Sequence, residues 1–383
     1  MALIALAADK GSPGVTTAAV ALAAVWPRRV LLAETDPAGG DLVYRSAAAH
    51  GGPLNPNTGM LSIAATARRG LVPDQLWDHV QPLSGGLEVL VGLGNAEQAA
   101  GLAGLWPTLG HAFSSLADSP NAPADVIADC GRIAGDTPAV DLFPHAALVL
   151  LISRTEPEAI ARVRDRAAAL SNRLHGGPRG AASLATPLVG VILVADTNNA
   201  GKISGQVNDM LVHAQTGARV VGTIADDPAG ADQLAGRKRG RLDKSLLIRS
   251  ARKVTSDLYQ QFGAQPDGSG TRFAVWAPAA RAVHVVGDFD GWTGEHALAP
   301  LDSSGVWCGW IDGVGVGASY RFRVTTAKGD KVDKSDPVGS AHHLPPSIDS
   351  MVAEQPLIKP RRSSVILSSP AALGDPFTST SSR

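Results

Sequence analysis

Short runs of apolar residues alternate with longer segments of helical periodicity over the first 263 positions of the chain. Seven of these runs have the length of buried strands: 3–7, 30–33, 87–91, 126–128, 148–152, 189–194 and 220–224. Helix-length segments, such as 157–174, separate them. Continuously apolar strands separated by helices are typical of a parallel sheet that is covered on both faces. The pattern predicts a doubly wound, mostly parallel α/β domain over residues 1–263.

The end of this domain has a helical pattern of its own. Apolar side chains recur there every three or four residues, at Leu247, Ala251, Val254, Leu258 and Phe262. This spacing predicts a closing amphipathic helix with one apolar stripe against the sheet. The following segment, 264–270, is polar and contains glycine and proline, which predicts a linker.

Beyond the predicted linker the aromatic residues concentrate on short alternating runs separated by glycine and proline turns. They are Phe273, Trp276, Phe289, Trp292, Trp307, Trp310, Tyr320 and Phe322. Such runs are typical of an antiparallel β-sandwich, so we expect an all-β, immunoglobulin-like domain over residues 264–355. Residues 356–383 are rich in serine, proline and threonine without apolar periodicity, which predicts a disordered tail.

Composition agrees with two globular domains and excludes several classes of protein. The chain has 383 residues, of which 44% are hydrophobic and 18% charged, as expected for folded domains rather than for a disordered chain. The 34 basic and 35 acidic residues nearly cancel, so no overall attraction to nucleic acid or membrane is expected. Two distant cysteines favour the reducing cytoplasm. No apolar run approaches the roughly 20 residues of a membrane span, so we expect a soluble, cytoplasmic protein.

The first predicted strand leads into a glycine-containing loop and then into a helix. Residues 10–17 of this loop read Lys-Gly-Ser-Pro-Gly-Val-Thr-Thr. Free backbone N–H groups of such a loop and the N-terminus of the helix converge on one point, where they favour a phosphate group. The sequence therefore predicts an anion site at residues 10–17.

This loop resembles the deviant Walker A motif, Lys-Gly-Gly-x-Gly-Lys-Thr-Thr, of the MinD/ParA family of P-loop ATPases. The resemblance implies that ATP and Mg²⁺ are the ligands and that Thr16 contacts the metal. It also implies that Lys10 reaches the partner's nucleotide across a homodimer interface. The residues that correspond to the family's nucleotide-binding loop are Lys10, Gly11, Ser12, Gly14, Val15, Thr16 and Thr17.

Three positions depart from the family motif. Val15 stands where the family has a second lysine, Ser12 replaces a glycine, and Pro13 removes a backbone donor. A charge-assisted hydrogen bond contributes roughly 1.5 to 3 kcal/mol, so the missing lysine would weaken triphosphate binding by about one or two powers of ten. We expect hydrolysis to suffer more than binding.

Two further segments resemble the same family in the expected order. Residues 34–37 correspond to switch I, with Glu34 substituted at its first acidic position, and imply that Asp36 orients the attacking water. Residues 125–131 correspond to Walker B and switch II, and imply that Asp129 lies near the metal. Residues 221–228 look like the loop that flanks the base, whereas the family's adenine-reading asparagine is not at its usual place. We interpret residues 92–94, Gly-Leu-Gly, as a turn.

A basic run extends from Arg237 to Lys253 and contains a single acid, Asp243. It has two interpretations. One is a patch that meets the phosphates of DNA or of a membrane. The other, which we favour, is a solvated helix face and loop.

The second domain resembles carbohydrate-binding module family 48, the early-set β-sandwich of glycogen branching enzymes. The matching segments are 270–278, 283–292, 305–307, 320–322, 334–337 and 344–346. The resemblance implies α-glucan binding, in which the flat face of a pyranose stacks on an aromatic ring. Trp292 on a turn is the preferred stacking residue and Trp310 a second candidate, whereas we expect Trp276 and Trp307 to fill the sandwich core. No catalytic barrel follows, so we do not expect branching activity.

Two functions remain open. The first is an ATP-dependent dimerisation switch, with weak or lost hydrolysis, that carries a glucan-binding module. The second is a non-catalytic adaptor, in which a pseudo-ATPase scaffold with a possible protein partner is tethered to glycogen or another α-glucan. Val15 is the residue that separates the two.

Overall fold

The structure is a computed structural model that describes residues 3–102, 104–175, 187–277, 280–301, 306–326, 329–336, 339, 341–343 and 347–354. The tail predicted over 356–383 and the segment 344–346 lie outside the described residues.

The helices and strands follow the predicted order closely. The helices are α1 Val15–Ala24, α2 Leu42–Arg45, α3 Met60–Ala67, α4 Ala96–Ala100, α5 Trp106–Ser115, α6 Pro157–His175, α7 Ala200–His213, α8 Pro228–Leu234 and α9 Leu246–Gln261. The strands of the N-terminal domain are β1 Leu3–Ala8, β2 Val30–Glu34, β3 Gln81–Pro82, β4 Glu88–Leu90, β5 Asp125–Arg132, β6 Leu148–Arg154, β7 Leu188–Ala195 and β8 Arg219–Ala225. The strands of the C-terminal domain are β9 Gly263–Pro266, β10 Gly270–Trp276, β11 Ala282–Gly287, β12 His296–Pro300, β13 Val306–Asp312, β14 Ser319–Thr325, β15 Lys331–Lys334, β16 Ala341–His342 and β17 Ser350–Met351.

The N-terminal strands form one sheet in the order β3-β4-β2-β5-β1-β6-β7-β8. Every neighbouring pair is parallel except β3 with β4. Along β1, Ile4 and Leu6 pack into one core cluster while Ala5 and Ala7 pack into the other. The sheet is therefore covered on both faces, which confirms the predicted doubly wound α/β fold.

The helices divide between these two faces. Helices α1, α8 and α9 contribute to the cluster that contains Leu6, and α3, α5, α6 and α7 contribute to the cluster that contains Ala5. The loop between β1 and α1 follows the carboxyl end of β1, so it lies at the edge of the sheet where the carboxyl ends of the parallel strands meet.

Among the described residues, no helix is both long enough and apolar enough to cross a bilayer.

The C-terminal strands are antiparallel, in the order β16-β17-β14-β11-β12-β13-β10-β9, with β15 paired to β14. Strand β12 pairs with β11 on one side and with β13 on the other, so it joins the two halves of the sheet. Phe273, Tyr320 and Phe322 form the centre of the core between these halves, with ring centroids 4.9 and 5.7 Å apart. The all-β architecture expected for this part of the chain is confirmed.

The predicted linker over 264–270 is wrong. Helix α9 ends at Gln261, and β9 begins at Gly263 and pairs along its length with β10. Gly263 has φ +84°, a conformation that side-chain-bearing residues rarely adopt, so it reverses the chain directly from helix into strand. The domain boundary between residues 263 and 264 stays a prediction.

Trp276 lies outside the sandwich core, contrary to expectation. Because side chains alternate along a strand, Phe273 and Val275 of β10 enter the sandwich core while Trp276 points to the opposite face. There Trp276 and its cross-strand neighbour Val306 join the apolar cluster of the α/β domain. Trp307 is partly buried and packs against the edge of the sandwich core, so it contributes to the core without filling its centre.

We predict that Trp276→Ala weakens the attachment between the domains and lowers the free energy of unfolding by about 3 to 5 kcal/mol, as truncation of a buried tryptophan does. Urea unfolding followed by circular dichroism measures the change. The matched control is Trp310→Ala. Trp310 lies on β13, on the same face of the sheet as Trp276, but it is 43% exposed, so we expect the free energy of unfolding to fall by less than about 1 kcal/mol. Equal destabilisation of the two variants would contradict the assignment of Trp276 to the interface.

Candidate functional site

The loop between β1 and α1 has the backbone of an anion cradle. Gly11 and Gly14 have φ values of +80° and +93°, and Gly14 is the N-cap residue of α1. Within the part of the chain that the structure describes, the N–H groups of Gly11, Ser12 and Gly14 donate no hydrogen bond to the protein backbone. Together with the first turn of the ten-residue helix α1, these groups favour a negatively charged ligand.

Val15 occupies the position where the resemblance places a lysine. It is the first residue of α1, only 7% exposed, and it packs in the apolar cluster beneath the loop. The cradle therefore has no ammonium group at this position. Where the resembling family has a lysine, this protein therefore has a buried apolar side chain.

Lys10 lies on the other side of the loop, where it lines a cavity of about 280 Å³. Gly11 and Ser12 line the same cavity, and Arg154 and Arg162 approach from β6 and α6. Next to it, Asp9 accepts hydrogen bonds from Arg166 of α6, with N–O distances of 2.5 and 2.6 Å. This ion pair attaches the start of the loop to α6.

Asp129 lies beside the cradle, in the carboxyl-terminal half of β5. It is 1% exposed, and its Oδ1 accepts a hydrogen bond of 3.1 Å from the N–H of Gly131. Burial raises the pKa of Asp129 to about 7; the Thr16 hydroxyl opposes the rise, and the nearby charges of Glu34 and Asp36 add to it. Oδ2 of Asp129 has no partner of normal hydrogen-bond geometry among the described residues. The structure thus brings together Thr16 and Asp129, as the resemblance implies.

Glu34 has a role that the sequence did not reveal. Its Oε1 accepts the N–H groups of Asp41 and Leu42 at 2.7 and 3.0 Å, and its Oε2 accepts that of Gly92 at 2.9 Å. A Cβ atom at Gly40 would lie 2.3 Å from Oε2. Burial raises the pKa of Glu34, and the three amide bonds oppose the rise. Glu34 therefore holds the loops after β2 and β4 to the end of β2 by hydrogen bonds. Both of its carboxylate oxygens are used in these bonds.

The sequence signal for the structural role of Glu34 was the presence of glycines after the ends of the neighbouring strands. Gly92, interpreted as part of a turn, lies in the loop after β4, and a Cβ atom there would lie 2.9 Å from Glu34 and 3.0 Å from the Cα of Gly40. Only the fold shows that these glycines face one carboxylate.

Asp36 lies at the same edge. Its Oδ1 accepts the N–H of Ala38 at 2.8 Å, and a Cβ atom at Gly131 would lie 1.8 Å from its Oδ2. Gly131 has φ +58°, so the close approach and the backbone both require glycine. Burial raises the pKa of Asp36. The geometry places Asp36 next to Asp129, and its part in orienting a water stays a prediction.

The residues present suit a magnesium ion bound to phosphate only in part. No group of three or more His, Cys, Asp or Glu side chains in the described segments is arranged to hold a metal. Magnesium on a polyphosphate keeps several waters and needs only one or two protein ligands, which Thr16 and Asp129 would supply. Because Val15 replaces the lysine, bound phosphates would have the N–H groups at the start of α1 but no ammonium group to neutralise their charge.

The loops farther along this edge are tied by their own contacts. Asp226 pairs with Arg154 at 3.0 Å, and Asp227 caps α8 by accepting the N–H of Gly230 at 2.8 Å. Asn199 is the N-cap residue of α7. The role of residues 221–228 beside a base stays a prediction.

The basic run from Arg237 to Lys253 folds as a loop and the outer face of α9. Arg237 pairs with Asp232 at 2.8 Å, and Lys253 pairs with Asp257 at 2.9 Å. The apolar stripe of α9 is buried, so its charged side chains face outward. The pairing reduces the free positive charge of this surface.

Trp292 is displayed by a tightly held turn. It has φ +65°, unusual for a residue with a side chain, and it follows the short 3-10 helix Asp288–Asp290. Its N–H donates to Asp290 Oδ1 and to the Gly287 carbonyl at 2.9 and 2.8 Å. The guanidinium of Arg321 lies over the indole, 5.0 Å from the ring centroid.

Trp310 belongs to a different surface. It lies on the same face of the β10–β13 half as Val306, and its Nε1 donates to Asp312 at 2.7 Å. Trp292 lies instead against Arg321 of β14, in the other half of the sandwich. Among the described side chains, no ring contact joins the two tryptophans, so the structure does not bring these two candidates together.

We predict that Asp129→Asn stabilises the protein at neutral and alkaline pH. The native pKa of about 7 exceeds the unfolded value of roughly 3.9, so the folded state binds the extra proton and stability falls as pH rises from about 4 to 7. The variant removes this penalty, with a gain of up to about 4 kcal/mol at pH 8 and less at pH 5. Urea unfolding at the two pH values measures it.

The control for this prediction is Asp226→Asn, at the same sheet edge but exposed to solvent, for which we expect a change within about 0.5 kcal/mol. An Asp129→Asn variant that is less stable than the wild type at pH 8 would show that the carboxylate is held by compensating contacts.

Several solved structures are similar to the N-terminal part of the chain. The cell division ATPase MinD of Pyrococcus furiosus is 16% identical, with a TM-score of 0.49, over 68% of this chain and 99% of that one. A ParA family ATPase from Chlorobium tepidum is 17% identical, with a TM-score of 0.49, over 66% and 98%.

The C-terminal part is similar to curated relatives in sequence. The 1,4-alpha-glucan branching enzyme GlgB of Rhodopirellula baltica is 44% identical over 104 residues, which cover 26% of this chain and 14% of the relative. GlgB of Nocardia farcinica is 48% identical over 122 residues, which cover 30% and 16%. The chain thus spans about a seventh of the length of these relatives. Residues 261–339 match the family model of carbohydrate-binding module 48, the isoamylase N-terminal domain.

Proposed function

We propose that this protein is a non-hydrolysing adaptor that binds an α-glucan through its C-terminal β domain. The relatives that match this domain are named as enzymes that act on 1,4-alpha-glucan, and we carry that ligand class over to residues 261–339. Activity on the glucan itself is not part of the proposal.

The observation that carries the proposal is the way Trp292 is held. A positive φ at a bulky residue costs of order 1 kcal/mol, so the surrounding contacts must impose it. Asp290 and the Gly287 carbonyl hold its N–H, and Arg323 Nη1 donates to its carbonyl at 3.4 Å. These contacts fix a partly exposed flat ring on the surface, the arrangement on which a pyranose stacks.

The α/β domain supports the non-hydrolysing half of the proposal. Val15 contributes an apolar side chain where phosphates would need an ammonium, and Glu34 is committed to three backbone amides. A domain with these features serves as a scaffold for a protein partner.

One observation favours the alternative, an ATP-dependent dimerisation switch. The N–H groups of Gly11, Ser12 and Gly14 are not used by the backbone of the described chain, and Thr16 lies by Asp129. An ATP-magnesium complex on this cradle would leave Lys10 exposed at its outer side, where a second copy would meet it in a homodimer. A cytoplasmic location and a DNA or membrane contact through 237–253 remain predictions under either function.

For the glucan site we predict that maltoheptaose binds the wild type in isothermal titration calorimetry and that Trp292→Ala weakens binding at least about tenfold, because a stacked aromatic ring contributes much of a sugar site's contact area. Tyr44→Ala, an exposed aromatic residue on α2 of the α/β domain, is the control and should bind like the wild type. Equal affinity of Trp292→Ala and the wild type would remove the stacking assignment.

For the phosphate cradle we predict that Val15→Lys binds Mg-ATP about ten- to a hundredfold more tightly than the wild type, because it restores a charge-assisted contact to the phosphates. Calorimetry with and without magnesium measures both proteins. Binding by the variant alone supports the adaptor, whereas tight binding by the wild type supports the switch.

A further inference from the structure

Two arginines project from the outer face of β14 toward the turn that carries Trp292. Tyr320 and Phe322 of this strand are buried in the sandwich core, so the intervening Arg321 and the following Arg323 point outward. Both arginines are anchored by carboxylates on neighbouring segments. Their positions are therefore set by the sheet rather than by solvent.

Arg323 acts on the backbone of the turn. Its guanidinium makes two hydrogen bonds with Asp333 of β15, at 2.7 and 2.9 Å. Nη1 also donates to the carbonyls of Trp292 and Thr293, at 3.4 and 3.2 Å. It fixes the path of the chain but does not lie over the indole.

Arg321 acts on the ring itself. Its guanidinium lies 5.0 Å from the centroid of Trp292, within the range of a cation–π contact. Its Nε donates to Asp349 Oδ1, and Asp349 Oδ2 in turn accepts from the Ser347 hydroxyl at 2.7 Å. The side chains of Arg321 and Asp349 are only 28% and 17% exposed, so this chain of contacts is partly shielded from water.

We propose that Arg321 is the positioning residue of the glucan site: it covers one face of the Trp292 indole and leaves the opposite face for a single sugar ring. The inference rests on the proposed glucan binding. A guanidinium on one face removes that face from competition for a sugar and restrains the rotation of the ring. The sugar then meets a preorganised surface and loses less entropy on binding.

The test measures the affinity for maltoheptaose by calorimetry. A partly exposed cation–π contact corresponds to a two- to fivefold change in affinity, so Arg321→Ala should raise the Kd by about that factor. Arg321→Lys keeps a cation but not the planar group and should give an intermediate Kd. Arg281→Ala, an exposed arginine just before β11, is the matched control and should bind like the wild type.

A second measurement reads the position of the ring without ligand. The difference in near-ultraviolet circular dichroism between the wild type and Trp292→Ala isolates the signal of Trp292. We expect Arg321→Ala to alter this signal and Arg281→Ala to leave it unchanged. Asp349→Ala keeps Arg321 but removes the oxygen that accepts its Nε–H, and it should produce a smaller change of the same kind, which serves if Arg321→Ala does not fold.

The outcomes separate the inference from the proposed function. If the wild type does not bind maltoheptaose, both fail. If Trp292→Ala loses binding while Arg321→Ala matches Arg281→Ala in affinity and in the dichroism signal, glucan binding stands and the role of Arg321 is overturned. A raised Kd for Arg321→Ala together with an altered Trp292 signal supports the role.

Discussion

The buried carboxylate of Glu34 is the constraint that fixes the two loops beside the candidate phosphate site. A carboxylate that is 2% exposed must have its oxygens satisfied, and three backbone N–H groups from two loops satisfy them. These bonds fix the loops after β2 and β4 and require glycine where the loops approach the carboxylate. Because removal of Glu34 would leave the N–H groups of Leu42 and Gly92 buried without an acceptor, the residue is structural whatever the cradle binds.

At the carboxyl ends of the parallel strands, the groups that could bind an anion differ from the groups that hydrolysis would require. The cradle consists of backbone N–H groups and a helix N-terminus, which survive changes of side chain. Hydrolysis depends on side chains that neutralise and orient, and here Val15 is buried in the core and Glu34 is committed to amides. The loop therefore has the backbone N–H groups that an anion site needs, but Val15 and Glu34 do not supply the side chains that hydrolysis needs.

The two domains are joined by a strand face rather than by a flexible tether. Trp276 and Val306 at one end of the β10–β13 half pack into the apolar cluster of the α/β domain. The turn of Trp292 lies against β14 in the other half of the sandwich. The contact between the domains and the proposed glucan surface therefore use different parts of one small module, so the module does not have to detach to bind a ligand.

The sequence by itself determined the order of strands and helices, because apolar periodicity is a local property that burial on both faces imposes. The seven predicted core strands and the closing helix α9 were all found. It also identified the loop at residues 10–17 and the turn of Trp292, because their glycines and neighbours are contiguous. The linker was mistaken because residues 263–266 gain strand structure only by pairing with β10.

Tertiary structure alone decided which side chains meet. Glu34 and Gly92 are 58 residues apart, and Arg321 contacts Trp292 across 29 positions, so neither pair leaves a periodic or contiguous signal. The face that Trp276 presents depends on strand register, and a shift of one residue would have put it in the sandwich core. Local patterns are set by short-range sterics and burial, whereas these contacts arise from pairing between distant strands.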